Sequence, residues 1–466
     1  MDKNALGEAL GRLCARHFGG EASIANLQRL SGGANMESWG FDYGDLPLVL
    51  RRMPGNGESD DTVPRLSIAS EAKLIALAES HGVTAPPMLG VLQPEDGLGE
   101  GFLMQRIEGE ALPHKILGNP AFAEAEKALP RQCAEELARI HTIPLDTLPD
   151  DMPKADAATL LSEMHQRYKD YGAAIPVFDY AFRWLQDNLP ATADPCLLHG
   201  DFRMGNLLID RKGITAILDW ELAHIGDPVQ DLAYLCTPSW RFTRHDRGAG
   251  GFGAIDDLIS AYEAASSAPV DLARFDYWLI YSTLWWGNVC LNMTDIWRSG
   301  MDRSLERTVI GRRTSEVEID LLLLFDPLLG DVAKTQFEWQ EPETPDFAGE
   351  TDNAELLEAL VGWASEGVID TAKGRALFEA RVARNALGIL KRDALYGARF
   401  AESQQQRFDT LDLSFEALRA GLSDGTIALN QPKILTHLRL SALERLTIDQ
   451  PKYPGRESAL KTWSRT

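Results

Sequence analysis

The segment from residue 196 to residue 219 constrains the fold more than any other part of the chain. A polar run at residues 199–206 is followed by two short apolar runs, 207–209 and 214–218, which are separated by Asp210-Arg211-Lys212-Gly213. A turn sequence of this kind between two strand-like runs predicts a β-hairpin. The sequence therefore predicts a short, stiff loop and hairpin inside a region whose pattern is otherwise mainly helical.

Three polar residues of this segment indicate a chemistry when they are taken together. Asp201 and Asn206 lie five residues apart, and Asp219 follows the hairpin. An aspartate can accept a hydroxyl proton, and an amide oxygen together with a second carboxylate can bind Mg²⁺. Phosphoryl transfer needs these groups, because it depends on positioning and charge neutralisation. Each residue alone fits an ordinary polar loop, whereas the order and spacing of all three favour a catalytic role.

The sequence of this segment resembles that of the aminoglycoside phosphotransferase family, which is part of the wider kinase-like fold. The matching runs are residues 197–206, 217–221, 226–228 and 231–233. The spacing of Asp201 and Asn206 is also that of a kinase catalytic loop. The likeness covers roughly residues 20–330, so it implies a fold for about two thirds of the chain.

The resemblance implies roles for individual residues. Asp201 is the implied catalytic base, and Arg203 stands two residues later, where protein kinases often carry a lysine that faces the γ-phosphate. Asn206 and Asp219 are the implied metal ligands. The cofactors that follow from the family are ATP and Mg²⁺, and the implied acceptor is a hydroxylated small molecule.

Other polar residues near the loop are expected to support it. His199 should pack and hydrogen-bond so that the loop is held in place, while Asp227 and Asp231 should anchor the loop and the helix that follows. A zinc-type centre is disfavoured, because His199 and His224 have no close ligand partners in the sequence.

The candidate nucleotide-binding residues lie in the first hundred residues. Ser31 and Gly33 belong to Ser31-Gly32-Gly33-Ala34-Asn35, which lies between two predicted strands and can cover phosphates with backbone amides. The segment does not satisfy G-x-G-x-x-G, and a plain turn is the alternative.

Two further strands resemble nucleotide-binding parts of kinases. Arg51 ends a strand like the one that carries the ATP-contacting lysine, and Glu71 on the next predicted helix would be its ion-pair partner. Arginine can contact phosphate, although with a different geometry from lysine. Gln105 and Ile107 lie where the hinge between two lobes is expected, and their backbone groups would contact adenine. The alternatives are a solvent-facing arginine with a surface glutamate, and an ordinary strand end.

The pattern predicts an α+β protein with a bilobal protein-kinase-like fold and an appended all-α C-terminal domain. The predicted elements are strands at 27–30, 36–43, 47–53, 88–92 and 102–107, and helices at 66–81, 121–141 and 160–189. Residues 1–107 form the predicted N-lobe and residues 108–339 the C-lobe. The polar stretch 340–353 is typical of a linker. Residues 354–466 are therefore predicted to fold independently, and they resemble an uncharacterised helical domain found with some bacterial phosphotransferases.

Charge and cysteine content bound the partners and the compartment. The 466 residues carry a formal net charge of −23, which disfavours binding to nucleic acid or to an anionic membrane surface. The five cysteines are widely spaced, without a CxxC pair, and indicate buried free thiols in a reducing compartment. No signal-peptide pattern and no run of about 18 apolar residues is present. The predicted location is the cytoplasm.

The sequence thus predicts an ATP- and Mg-dependent phosphotransferase that acts on a hydroxyl group of a small molecule. The sequence of residues 199–206 resembles the subgroup of this family that is associated with acyl-CoA dehydrogenases more than it resembles the drug-modifying members. This resemblance favours a hydroxyacyl-CoA or a related metabolite as the acceptor. One alternative is a nucleotide-binding pseudokinase with a regulatory or partner-binding role, which Arg51 and the incomplete glycine-rich loop motivate. Another is transfer of a different group of ATP, such as AMP.

Overall fold

A computed structural model of the protein describes residues 2–20, 22–32, 36–53 and 66–465. The chain divides into two compact units: Met1–Asp156 with Ala191–Leu279, and Ala157–Pro190 with Ile280–Thr466. Within the described ranges, no helix has the length and apolar character needed to cross a membrane.

Strands are confined to the first unit among the described residues. They are β1 (Ile24–Gly32), β2 (Glu37–Tyr43), β3 (Leu46–Met53), β4 (Met88–Val91), β5 (Glu100–Gln105), β6 (Cys196–Leu198), β7 (Leu207–Ile209), β8 (Ile214–Ile217) and β9 (His224–Gly226). The helices are α1 (Lys3–Phe18), α2 (Ile68–Ser80), α3 (Pro113–Ile116), α4 (Ala123–His141), α5 (Ala157–Asp170), α6 (Pro176–Asp187), α7 (Pro228–Leu235), α8 (Ile255–Ser266), α9 (Leu272–Ser299), α10 (Leu305–Gly311), α11 (Thr314–Phe325), α12 (Asn353–Trp363), α13 (Gly374–Leu411), α14 (Phe415–Asp424), α15 (Pro432–Asp449) and α16 (Pro454–Trp463).

The N-terminal part of the first unit is a five-stranded antiparallel sheet with the order β1-β2-β3-β5-β4. Alternation along the strands buries one row of apolar side chains, including Phe41, Leu48 and Leu50. Helix α1 packs its apolar residues, among them Leu10, into the same core. All five predicted strands and the helix between the third and fourth are confirmed, with boundaries that shift by a few residues.

Two small strand pairs position the loop after residue 198. Strand β6 pairs with β9, and β7 pairs with β8, which confirms the predicted hairpin. Its turn is closed by the Asp210 carboxylate, which accepts from the backbone N–H of Lys212 at 2.7 Å and of Gly213 at 3.0 Å. Gly213 has a φ of +141°, and a Cβ there would lie 1.8 Å from Oε1 of Gln132. Only glycine therefore fits this turn.

Helix α11 is central to the packing of the second unit. Its residues Glu316 to Leu322 are all buried although acidic and apolar side chains alternate. Helices α6, α15 and α16 pack against it. Charged partners come from the C-terminal helices: Arg445 pairs with Glu318, and Arg439 lies 2.5 Å from Asp326. Burial of these carboxylates depends on such partners.

The linker-like stretch and the C-terminal helices belong to the same compact unit as residues 280–339. Glu341, at the start of the stretch, accepts from Arg456 of α16 at 2.7 Å. Helix α14 packs against α6, where Arg419 lies 2.7 Å from Asp179. The domain division at residues 107, 339 and 354 stays a prediction, but these contacts favour a shared core over independent folding of residues 354–466.

One predicted helix is two helices in the structure. The sequence predicts a single helix over 160–189, whereas α5 ends at Asp170 and α6 begins at Pro176. Gly172 between them has a φ of +62°, a left-handed conformation that ends a helix. Pro176 stands at the first turn of α6, the helical position that suits proline best.

Candidate active site

The loop that follows β6 is held by a buried carboxylate from α7. Asp231 accepts from the backbone N–H of His199 at 2.7 Å and of Gly200 at 3.0 Å. Gly200 has a φ of +80°, and a Cβ there would meet the carbonyl oxygen of Leu222 at 2.2 Å. These contacts confirm the anchoring role predicted for Asp231. These contacts therefore fix the backbone of the loop independently of the side chains of the candidate site.

His199 holds the loop through both ring nitrogens. Nδ1 accepts from the backbone N–H of Asp201 at 3.2 Å, and Nε2 lies 3.1 Å from the carbonyl oxygen of Leu218. Since Nδ1 accepts, the Nε2–H is the donor to Leu218. Burial lowers the pKa of His199 below its ordinary value, so the ring is neutral and ties the loop to the end of β8. The supporting role predicted for His199 is confirmed.

The Asp201 carboxylate is buried and receives three side-chain donors. Tyr234 O–H donates to Oδ1 at 2.6 Å, and Nε of Arg203 donates to the same oxygen at 2.9 Å. Nδ2 of Asn206 donates to Oδ2 at 2.6 Å and to the Asp201 carbonyl oxygen at 3.0 Å. The sequence-predicted residues Asp201, Arg203 and Asn206 are thus in direct contact.

Asp219 reaches the site from the far end of the hairpin. The backbone N–H of Leu218 donates to the carbonyl oxygen of Asn206 at 2.8 Å, which joins the two ends of the segment. Asp219 has a φ of +67°, an uncommon conformation for a residue with a side chain, and such strain is concentrated at functional sites. Asn206 and Asp219 line one cleft of about 880 Å³.

Arg51 lines this cleft and bridges three carboxylates. Its Nη2 lies 2.6 Å from Oδ1 of Asp219, 3.0 Å from Oε2 of Glu221 and 3.6 Å from Oε1 of Glu71. Burial alone would lower the pKa of Arg51, but these carboxylates outweigh it and raise the pKa above its ordinary value. The guanidinium therefore stays positively charged. It is paired with the carboxylate of Asp219, which the sequence analysis predicts to be a metal ligand.

Glu71 is the predicted partner of Arg51, and its environment is unusual. Burial raises the pKa of Glu71 to about 7, against the opposing effect of Arg51. Oε1 of Glu71 and Nε of Arg51 are both buried without a hydrogen-bond partner. Buried polar atoms are nearly always paired in folded proteins. The two unpaired atoms are consistent with a cleft that receives a polar ligand.

The predicted hinge residues also line the cleft. Gln105 and Ile107 belong to its lining, as do Arg51 and Glu71. The backbone N–H of Gln105 already donates to the carbonyl oxygen of Pro87 at 2.9 Å. Asp201 and Arg203, both within the described part of the chain, lie outside this lining and connect to it through Asn206.

The predicted phosphate-covering segment is described only in part. Ser31 pairs with Ser38 in the β1–β2 ladder. Gly33, the other candidate there, lies outside the described residues. Their assignment to nucleotide binding stays a prediction.

Two residues that the sequence reasoning did not assign to the site contact its centre. Tyr234 donates to Asp201, and Glu221 shares Arg51 with Asp219. Glu221 stood inside the family-like run 217–221, so its carboxylate two residues after Asp219 was a signal that could have been used. Tyr234 lies 33 residues from Asp201, and nothing in its local sequence indicated the contact.

The two candidate metal ligands, Asn206 and Asp219, suit Mg²⁺ better than a metal ion whose ligands all come from the protein. In the described ranges, no group of three or more His, Cys, Asp or Glu side chains is arranged to hold a metal ion. Magnesium usually takes one or two carboxylates and completes its shell with phosphate oxygens and water. Asn206 can offer Oδ1, because its Nδ2 is engaged by Asp201, and Asp219 offers a carboxylate.

Comparison with protein-family models gives two matches. The model described as the phosphotransferase enzyme family matches residues 26–267, just over half of the chain. A model described only as a domain of unknown function matches residues 370–453. The second match agrees with the predicted likeness to an uncharacterised helical domain.

The curated relatives include acyl-CoA dehydrogenase family members. Family member 10 of Mus musculus is 27% identical over 247 residues, which are 51% of this chain and 22% of that protein. Family member 11 of Homo sapiens is 28% identical over 279 residues, 56% of this chain and 35% of that protein. The chain thus spans between about a fifth and about a third of these relatives. The predicted likeness to the subgroup associated with acyl-CoA dehydrogenases is confirmed.

A solved structure supports the kinase-like fold. A Ralstonia eutropha protein assigned to the aminoglycoside phosphotransferases superimposes with a TM-score of 0.55 at 21% identity, over 66% of this chain and 95% of that one. The prediction of an α+β kinase-like fold with a helical C-terminal region is confirmed. With a family model that spans more than half of its length, the chain belongs to the phosphotransferase enzyme family.

Proposed function

We propose that this protein transfers the γ-phosphoryl group of ATP to a hydroxyl group of a small molecule. The observation that carries the proposal is the contact of Asp201 with Asn206, which leads into the cleft where Asp219 and Arg51 meet. In the reaction the acceptor oxygen forms a bond to the γ-phosphorus, the bond to the β,γ-bridging oxygen breaks, and ADP leaves. The hydroxyl proton passes to the Asp201 carboxylate.

Asp201 orients the acceptor and takes its proton. Because Oδ1 already accepts from Tyr234 and Arg203, the remaining lone pair of Oδ2 is the one available to a hydroxyl. Arg203 adds positive charge beside the reacting groups. Asn206 and Asp219 would hold Mg²⁺, which when bound would neutralise charge on the phosphates. Glu221 can offer a further oxygen, since it shares Arg51 with Asp219.

The nucleotide would lie along β3, the hinge and the hairpin. Arg51, with Glu71 beside it, faces the phosphates, and the segment with Ser31 and Gly33 covers them. If adenine contacts the hinge, Gln105 offers its carbonyl oxygen, because its N–H is already bonded to Pro87. Ile107 would then offer its N–H.

For the acceptor we favour a hydroxyacyl-CoA or a related hydroxylated metabolite. Relatives named as acyl-CoA dehydrogenase family members match this region of the chain, which supports acyl-CoA chemistry. We also propose a cytoplasmic location, because all five cysteines are buried free thiols that suit a reducing compartment. The net charge of −23 argues against nucleic acid and anionic membranes as partners.

A nucleotide-binding pseudokinase is the second candidate function. Arg51 replaces the usual lysine and is bonded to Asp219, the candidate metal ligand, which favours a site that binds without turning over. A mass-spectrometric screen of hydroxylated metabolites, acyl-CoA thioesters included, with protein and Mg-ATP separates the two. A phosphorylated product with ADP supports the transferase, AMP as product points to transfer of another group, and nucleotide binding without any product supports the pseudokinase.

ATP is expected to raise the melting temperature much more with Mg²⁺ than with a chelator. Five carboxylates line the cleft, those of Asp42, Glu71, Glu108, Glu110 and Asp219, against the two cations Arg51 and Arg106, so metal-free ATP meets net negative charge. Ligand binding to the native state raises stability by mass action. Thermal shifts with and without the metal measure the effect. Asp219→Ala should remove the difference, whereas Asp257→Ala on the exposed surface of α8 should leave it. Equal shifts in the wild type would refute the metal role.

Arg51→Ala is expected to weaken ATP binding by about 1.5–3 kcal/mol, the range for hydrogen bonds to charged groups. Calorimetric titration with Mg-ATP measures it. Arg52→Ala is a matched control: Arg52 is the next residue on β3, lies 2.9 Å from Glu37 and is equally charged, but it is not part of the cleft lining. That variant should lose stability and keep its ATP affinity. An unchanged dissociation constant in Arg51→Ala would show that β3 does not face the nucleotide.

A further inference from the structure

The Asp201 carboxylate is asymmetric in its hydrogen bonding. Oδ1 receives two donors, from Tyr234 at 2.6 Å and from Arg203 at 2.9 Å, whereas Oδ2 receives one, from Asn206 at 2.6 Å. A carboxylate offers about four lone-pair positions. Both positions on Oδ1 are filled from inside the protein, so only Oδ2 retains a position for another molecule. The direction in which the carboxylate can act is therefore set by the two donors to Oδ1.

Tyr234 is built to be a permanent donor in this arrangement. Its side chain is buried in α7, and burial together with Asp201 raises the pKa of its phenol well above the ordinary value. The hydroxyl therefore keeps its proton at neutral pH and always donates. The hydroxyl of Tyr234 is attached to a rigid ring, so Tyr234 loses little side-chain entropy when it holds the carboxylate in place.

An aromatic contact links both donors of Oδ1. The ring of Tyr234 lies 5.8 Å from the ring of Trp240, and the guanidinium of Arg203 lies 4.8 Å from the centre of that same indole. Trp240 thus supports Tyr234 and Arg203 at once. A cation over an indole is attracted to it, so Arg203 is held towards Oδ1 rather than left to rotate.

Tyr234 also belongs to a helix that holds the rest of the loop. Asp231, three residues earlier in α7, accepts from the backbone N–H groups of His199 and Gly200. Residues three apart lie on one side of a helix. One side of α7 therefore holds the loop backbone through Asp231 and the Asp201 carboxylate through Tyr234.

We infer that Tyr234 is a positioning residue that turns Oδ2 of Asp201 towards the acceptor hydroxyl. This inference rests on the proposed phosphotransferase function. Loss of the phenolic O–H should free the carboxylate to rotate and slow the chemical step, while the nucleotide still binds through other residues.

The test is Tyr234→Phe, assayed with Mg-ATP and with water as the acceptor. Removal of a hydrogen bond to a charged group should lower the single-turnover rate of ATP hydrolysis by about 10- to 100-fold. Calorimetry should find Mg-ATP affinity and binding stoichiometry unchanged, which a misfolded fraction of the protein would not allow. Tyr453→Phe is the matched control, because its O–H also donates to a carboxylate, that of Asp320, at 2.6 Å. Its hydrolysis rate should equal that of the wild type.

A double substitution separates positioning from a merely structural effect. If Tyr234 acts through Asp201, its loss should not slow Asp201→Asn further, whereas structural damage would lower the rate in both backgrounds. Hydrolysis that needs Asp201 and is unaffected by Tyr234→Phe overturns the inference and leaves the proposed function intact. Hydrolysis that survives Asp201→Asn overturns the proposed function and this inference with it.

Discussion

Asp201→Asn is expected to lower the rate of phosphoryl transfer by about 10²–10⁴-fold, the usual contribution of general acid–base catalysis. The substitution removes the charge and the basicity of the group that accepts the hydroxyl proton. It also gives Asn206 an unfavourable partner, because an amide that keeps its oxygen towards Tyr234 and Arg203 must point its NH₂ group at Nδ2 of Asn206.

Mg-ATP affinity should change little in the same variant. Nδ2 of Asn206 keeps its second bond, to the Asp201 carbonyl oxygen at 3.0 Å, so the side chain stays in place for the metal. Asp201→Ala is a useful companion, since it removes the base without creating opposed donors. Both variants should lose transfer to the same extent. Asp219→Asn should behave differently and weaken the metal–nucleotide complex as well as turnover.

Single-turnover rates and Mg-ATP dissociation constants on these three variants measure the prediction. An exposed carboxylate such as Asp257 provides the control, and its replacement by asparagine should leave both quantities unchanged. Full transfer activity in Asp201→Asn would falsify the assignment of this loop as the catalytic centre. The pseudokinase interpretation would then gain weight, with the measured transfer traced to another protein or another site.

A chain that ends at Pro345 is expected to be insoluble or unfolded in its second unit. It would lose helices α15 and α16, which cover α11, and α14, which packs against α6. The deletion would uncover the side of α11 that contacts these helices, and it would remove Arg445 and Tyr453, the partners of Glu318 and Asp320. Each large apolar side chain that the deletion exposes would cost about 1.5–3 kcal/mol, against a total stability of about 5–15 kcal/mol for a domain.

Soluble yield, size-exclusion chromatography and thermal unfolding of the shortened chain measure this outcome. Arg439→Ala in the full chain tests the same contact without a deletion, because it leaves the Asp326 carboxylate without its cation at 2.5 Å. Breaking a buried pair costs about 3–5 kcal/mol, so its melting temperature should fall clearly. The exposed pair of Arg375 and Glu379 is the control, since Arg375→Ala should change stability very little. A soluble shortened chain with a cooperative transition would show that the rest of the protein folds without residues 354–466, as the predicted domain division requires.

The local elements of this protein follow from its local sequence. The hairpin could be predicted because Asp210 and Gly213 close the turn through contacts within three residues. The strands of the N-terminal sheet follow from alternating apolar residues, and α2 follows from helical spacing. The break at Gly172 and Pro176 was equally local, and a stricter use of the helix-ending signals would have predicted it.

The candidate site shows where local reasoning ends. That Asp201, Asn206 and Asp219 act together could be predicted from their spacing, because a single short segment with one hairpin connects them. Arg51 meets Asp219 across 168 residues and Glu221 across 170, and only the fold brings these positions together. The resemblance supplied Glu71 as the partner of Arg51, whereas the contacts with both Asp219 and Glu221 came from the tertiary structure.

The sequence by itself determined the family, the loop with Asp201 and the hairpin, because these depend on residue types at fixed short spacings. The tertiary structure alone decided which oxygen of Asp201 accepts two hydrogen bonds from the protein, since Tyr234 and Trp240 act through buried contacts that no spacing encodes. It also decided that α15 and α16 pack on α11, where buried carboxylates such as Glu318 need a cation that a distant part of the chain supplies. The composition of residues 340–353 is typical of a linker. In the structure, however, α11 before this stretch and helices α15 and α16 after it bury charged and apolar side chains against one another.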